Sequence, residues 1–231
     1  METQRPLVNI AGDIYQVDII GEILELQDDH PTGKSLLLAN MDLHGDRYRF
    51  LYDKRDKTIY TITPDTWRLP DDIVMADLCG KSMLDPAAYA RRKGQEPEIF
   101  GPYFLELAQT ERTALIMPKY DIGGHQFFVI PYERVFIDTT DLSNILSFSS
   151  FRREGNGRPS LHYNTITRKA AGRSPKEDNN AVVTIELPSH ETLKQLEQES
   201  ERYRGQAKIT PLHFQRQREV RPPGGTYPLR K

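Results

Sequence analysis

PLVNIAGDIYQV, from Pro6 to Val17, returns as PKYDIGGHQFFV, from Pro118 to Val129. Pro6, Ile10, Gly12 and Val17 recur as Pro118, Ile122, Gly124 and Val129, and Ala11 and Tyr15 give way to the similar Gly123 and Phe127. Fixed-period self-similarity marks a repeated structural unit. In both stretches a Gly-containing corner separates short runs of apolar and β-branched residues, so Gly12 and Gly124 are expected to sit at strand-joining turns, where glycine supplies positive φ without steric cost. Ile14 to Ile19 partly alternates polar with large apolar side chains, as a half-buried strand does. Gln126-Phe127-Phe128-Val129-Ile130 has lost that alternation, which predicts a strand covered on both faces.

Outward from this element the match continues in step. The spacing is 112 residues at the first hairpin and becomes 111 where Phe50-Leu51-Tyr52-Asp53 meets Leu161-His162-Tyr163-Asn164. It becomes 109 where Asp72 to Leu78 meets Ala181 to Leu187, two expected closing strands. The slips fall in segments of turn composition, 42–46 and 154–158 for the first and a polar stretch holding Pro64 or Pro175 for the second. A helix is expected to end each unit. Asp85 is a good N-cap before Pro86, and the cationic Arg91-Arg92-Lys93 precedes a terminating Gly94. The second helix is expected to begin near Ser189, with Leu193, Leu196 and Tyr203 on one stripe before Gly205. The expected fold class is α+β, with two tandem similar modules at 5–94 and 117–205. Each is a mainly antiparallel sheet with a C-terminal helix. Residues 95–116 connect them with short packed elements, and 206–231 form a flexible basic tail holding Pro222-Pro223-Gly224-Gly225.

A mean hydropathy of -0.62 and 28% charged residues describe a soluble protein, and no apolar run approaches the roughly 18 residues of a membrane span. Met1 to Pro6 lacks the cationic start and apolar core of a signal peptide, and the single cysteine, Cys79, suits a reducing compartment, so the expected location is cytoplasmic. Cys79 reads as a small buried hydrophobe. The net charge of -2 hides an asymmetry: residues 1–115 carry 13 Lys plus Arg against 20 Asp plus Glu, and the remainder carries 18 against 13. Copies of opposite sign suggest different roles.

Catalytic signals are weak. Thr32-Gly33-Lys34-Ser35 ends like a phosphate-binding loop, but Asp28 stands where the loop needs its first glycine. The histidines at 30, 44, 125, 162, 190 and 213 show no zinc-binding spacing, and no Gly-x-Ser-x-Gly elbow occurs. Asp42 with His44, and His162 with Asn164, are the nearest approach to a metal-dependent nuclease or hydrolase. No catalytic residue, metal ligand or cofactor is therefore assigned. A basic run at Arg152, Arg153, Arg158, Arg168, Lys169, Arg173 and Lys176, interleaved with Phe148, Phe151, His162 and Tyr163, is the candidate nucleic-acid surface. The leading expectation is a non-enzymatic binding or adaptor protein that holds a protein partner in the cleft between copies, with nucleic-acid binding as the alternative.

Overall fold

β1 (Leu7–Ile10) and β2 (Asp13–Asp18) form a two-residue hairpin whose corner residues Ala11 and Gly12 have φ of 53° and 101°. β10 (Lys119–Ile122) and β11 (His125–Ile130) form another, turning at Gly123 and Gly124 with φ of 60° and 83°. Positive φ at both central residues is the turn whose twist matches paired strands. Each corner is braced from the strand before it, Gly12 N–H donating to Asn9 Oδ1 at 2.9 Å and Gly124 N–H to Asp121 Oδ1 at 3.0 Å.

The structure is a computed structural model describing residues 5–27, 33–153, 157–171 and 181–202. Arg173, Lys176, the expected tail at 206–231, residues 28–32 of the loop ending at Ser35, and the expected helix end at 203–205 lie outside the described residues.

Strand pairing in the two halves runs in parallel. β3 (Ile23–Leu26) and β4 (Ser35–Leu37) complete the first sheet, and β12 (Val135–Asp138) and β13 (Ile145–Ser147) complete its counterpart in the second half. A 3-10 turn follows each sheet, Leu38–Asn40 or Phe148–Ser150, and the chain then enters a second sheet. In the first half that sheet contains β5 (Asp42–His44), β6 (Arg47–Asp53), β7 (Thr58–Ile59) and β8 (Ile73–Cys79). In the second half it contains β14 (Arg152–Arg153), β15 (Pro159–Asn164), β16 (Lys169–Ala170) and β17 (Val182–Glu186). Tyr52 pairs with Ile59 and Val74, and Tyr163 pairs with Ala170 and Val183, so the sequence spacings of 111 and 109 reappear as strand register. The non-glycine residues with positive φ keep the same spacing: Glu22 with Arg134, and Lys57 with Arg168.

Four antiparallel sheets and a few helices make the fold α+β. Two sheets per half replace the single sheet that the sequence suggested, because the 3-10 turn redirects the chain between β4 and β5 and between β13 and β14. Residues 42–44, read as loop, are strand because hairpin pairing with β6 outweighs their polar composition. The first half carries a short α1 (Lys81–Leu84) before α2 (Pro86–Arg92), which Asp85 caps by accepting from Ala88 N–H at 2.9 Å. α4 (His190–Arg202) starts where Ser189 Oγ accepts from Thr192 N–H at 3.1 Å. The connecting segment holds α3 (Pro102–Glu111) and β9 (Leu115–Ile116), which pairs with β8 and makes that strand central. No helix among the described residues is long and apolar enough to cross a membrane.

Each half buries a core between its two sheets. Val8, Ile10, Tyr15, Val17 and Leu24 meet Phe50, Tyr52, Ala76 and Leu78 in the first. Ile122, Phe127, Val129 and Phe136 meet Leu161 and Tyr163 in the second, with Leu196 of α4. A third core lies between the halves, where Leu51, Ile73 and Met75 from the outer face of β6 and β8 pack on Phe128, Ile130 and Ile137. β11 is thus buried on both faces, as its unalternating sequence implies.

Candidate binding cleft between the two halves

At one margin of the third core the halves are tied by charge. Asp77, with no exposed surface, accepts from Tyr132 Oη at 2.7 Å and from Arg49 Nη2 at 3.1 Å, and is also paired with Arg47. Arg49 reaches on to Glu133 Oε1 at 2.6 Å, and Arg47 to Glu111 Oε2 at 2.9 Å. Burial by itself would lower the Arg49 pKa, but Glu133, Tyr132 and Asp77 reverse that and hold the guanidinium charged. Burial, then Asp77, pushes the Tyr132 phenol up, so it donates as a neutral hydroxyl. Removing one member of such a group leaves its buried partners short of a hydrogen bond, at a cost of about 1–3 kcal/mol. The network therefore locks the orientation of the halves and the cleft between them.

That cleft contains two pockets that share Thr140. One, about 390 Å³, has apolar walls from Phe50, Leu51, Ile59 and Ile62 of the first half and Leu142 of the second. The other, about 430 Å³, is walled by Trp67 and Arg68 of the first half and by Asp121, His125, Gln126 and Arg168 of the second. Trp67, the only tryptophan, is 79% exposed. Buried indoles are the norm for so large an apolar ring, so this one is available to a ligand.

The second-half wall of this pocket is built from the β10–β11 hairpin and the turn after β15. Tyr163, buried under that hairpin, shares a hydrogen bond of 3.0 Å with His125 Nδ1. Burial, with Arg168 nearby, lowers the His125 pKa below 6.5, which keeps the ring neutral. Arg168 pairs with the fully buried Asp138 at 3.4 Å and bonds Thr140 Oγ1. Asn144 Nδ2 donates to Asp138 Oδ2 at 3.3 Å and to the Arg168 carbonyl at 2.7 Å. Gln126 Oε1 is buried without a hydrogen-bond partner. At the corresponding place in the first half, Asp13 accepts from Tyr52 Oη at 2.6 Å and pairs with Lys57 at 3.0 Å. The carboxylate there is satisfied internally.

Five of the seven cations of the basic run, Arg152, Arg153, Arg158, Arg168 and Lys169, lie among the described residues. Arg152, opposite Ser160, and Lys169, opposite Asn164, share the outer face of the β14–β17 sheet with His162 and Thr184. Arg153 is one residue along the strand and so belongs to the opposite face. Arg158 lies beside Glu186 at 3.9 Å, and Arg168 faces the cleft. Of the interleaved aromatics, Phe151 and Tyr163 are in the core. Trp67, Arg68 and Gln126 were not singled out from sequence; an isolated Trp-Arg in a Pro-flanked loop was the only available signal.

A larger pocket, about 640 Å³, lies among β1, α2 and α3. It is the weaker candidate because most of its polar groups are already used: Asp85 caps α2, Arg5 pairs with Asp18 at 3.0 Å and Glu25 at 3.5 Å, and Arg112 Nε donates to the Met83 carbonyl at 3.4 Å. Among the described residues, no group of three or more His, Cys, Asp or Glu is placed to hold a metal ion. No protein-family model matches this chain, and comparison with curated proteins and with solved structures finds no match.

Proposed function

We propose that the protein is a non-enzymatic, cytoplasmic binding protein built from two tandem copies of one α+β module, residues 5–94 and 117–205. It holds a segment of a protein partner in the cleft between them. The shared strand register, the matched positive-φ positions and the two braced hairpin corners support the duplication. One observation carries the binding reading: the two pockets that meet at Thr140 draw walls from both halves, giving an apolar hole beside an aromatic and polar one. An extended segment has the length to place one side chain in each, the pattern by which peptide grooves read sequence. Selection from a random peptide display library tests this. The selected peptides are expected to shift the emission of Trp67 and to lose binding to the Leu142→Arg variant. Peptides that bind this variant and Trp67→Ala as well as the parent protein place the site elsewhere.

The exposed face that carries Arg152, Lys169 and His162 favours a second reading, in which it holds the phosphate backbone of a nucleic acid. Electrophoretic shifts at low salt are then expected to weaken steeply with added salt, by about 0.7 to 0.9 in log–log slope per phosphate contacted. Arg152→Glu with Lys169→Glu is expected to abolish the shift, whereas Arg91→Glu with Arg92→Glu leaves it. No shift with DNA or RNA at low salt removes this reading.

A further inference from the structure

The polar pocket at Trp67 holds more acceptor capacity than the protein uses. Of its two cations, Arg168 is paired with the buried Asp138 at 3.4 Å, and Arg68, largely exposed, lies 3.8 Å from the exposed Asp71. His125 is neutral, because burial and Arg168 depress its pKa. Asp121 is exposed and makes no ion pair among the described residues; one of its oxygens accepts from Gly124 N–H and the other remains. Gln126 Oε1 is a buried acceptor with no donor. A buried acceptor left unpaired is destabilising, and a ligand donor would relieve it. Beside these acceptors stands the face of Trp67.

We propose that this pocket is a cation site that takes a guanidinium, the side chain of an arginine presented by the partner segment. A guanidinium is planar, offers five N–H donors and carries a delocalised charge that stacks on an indole face. In the pocket it lies on Trp67, donates to Gln126 Oε1, and meets the Asp121 carboxylate. An anionic ligand, by contrast, meets Asp121 and finds Arg168 already paired with the buried Asp138. The proposal rests on the partner reading only for the source of the arginine; the site itself is addressed by small molecules.

As the sole tryptophan, Trp67 gives a single indole N–H cross-peak in a ¹H–¹⁵N correlation spectrum of the full chain. Titration with Nα-acetyl-L-arginine amide is expected to move it saturably, with a dissociation constant of about 1–10 mM for so small a ligand. AMP and inorganic phosphate leave it in place. Asp121→Asn is expected to weaken binding about tenfold while keeping the turn brace, as Asn9 does in the first half. Gln126→Leu is expected to weaken it too, its folding checked by the rest of the spectrum. No movement with the arginine probe, movement with AMP or phosphate instead, or unchanged affinity in Asp121→Asn overturns the cation site. Library peptides that occupy the cleft without an arginine also overturn it while leaving the partner reading intact. Arginine binding with no selectable peptide does the reverse.

Discussion

Gly123 and Ala11 occupy equivalent left-handed corners, but the tyrosine behind each has different room. A Cβ at Gly123 would lie 2.8 Å from Tyr163 Cδ1, so the ring presses on the backbone where alanine is tolerated against Tyr52. Gly123→Ala is therefore expected to push Tyr163 off His125 and disturb the cleft wall, seen as a changed His125 titration. A Cβ at Gly12 or Gly124 would meet nothing within 4 Å, so substitution there faces only backbone strain. Gly12→Val and Gly124→Val are each expected to lower stability by about 1 kcal/mol or more in urea unfolding. His125 supplies a pH dependence. Its folded pKa is depressed below 6.5, so its contribution to stability is present above about pH 6.5 and is lost as pH falls through that range. Melting temperature is expected to drop on acidification below pH 6.5, and less in His125→Gln. Burial pushes the Cys79 thiol up to about 12, and it is expected to react with thiol reagents only on unfolding.

Among the elements, β2 and β11 diverge most. Both bury one face in their own half, through Tyr15 and Val17 or Phe127 and Val129. Their other faces differ, Gln16 and Asp18 against Phe128 and Ile130. Phe128 is therefore a contact between halves, and Phe128→Ala is expected to cost about 3–5 kcal/mol. The same comparison applies to the outer faces of β6 and β15, where Leu51 is replaced by His162, and of β8 and β17, where Met75 is replaced by Thr184. Leu51→Asp is expected to loosen the halves and remove the cleft, whereas His162→Asp on the exposed face is expected to leave melting nearly unchanged.

At the scale of the whole molecule these replacements form a pattern. The receiving face, Leu51, Ile73 and Met75, and the inserting face, Phe128, Ile130 and Ile137, are apolar only where they meet. Their equivalents at the two ends are mostly polar: His162 and Thr184, with Val182 in place of Ile73, on one, and Gln16, Asp18 and Glu25 on the other. A head-to-tail contact can continue indefinitely unless the terminal faces are altered, and polar residues there give a further copy no apolar face to dock on. His162→Leu with Thr184→Met restores the apolar receiving face and is expected to produce concentration-dependent self-association in sedimentation velocity. Asp77→Ala, which takes one buried partner from Arg47 and Arg49 and leaves them Glu111 and Glu133, is expected to cost about 1–3 kcal/mol in unfolding experiments.

What the sequence by itself determined is local. The Gly corners, the Asp85 cap, the Ser189 start and the strand spacings were legible because turn chemistry and side-chain period act within a few residues of the chain. The loss of alternation at Phe127 to Ile130 even announced a strand covered twice. Only the tertiary structure decided what covers it, since the apolar face opposite belongs to residues some 50 to 80 positions earlier in the chain. It also decided the cleft. Trp67, Gln126 and Arg168 are distant in sequence and carry no shared motif, and they became one pocket only when two faces docked and a buried charge network set the angle between them. Conversely, of the five described cations that run together in sequence, Arg152 and Lys169 share a face while Arg153 and Arg168 do not join them, because adjacent strand residues point to opposite faces and Arg168 pairs with the buried Asp138.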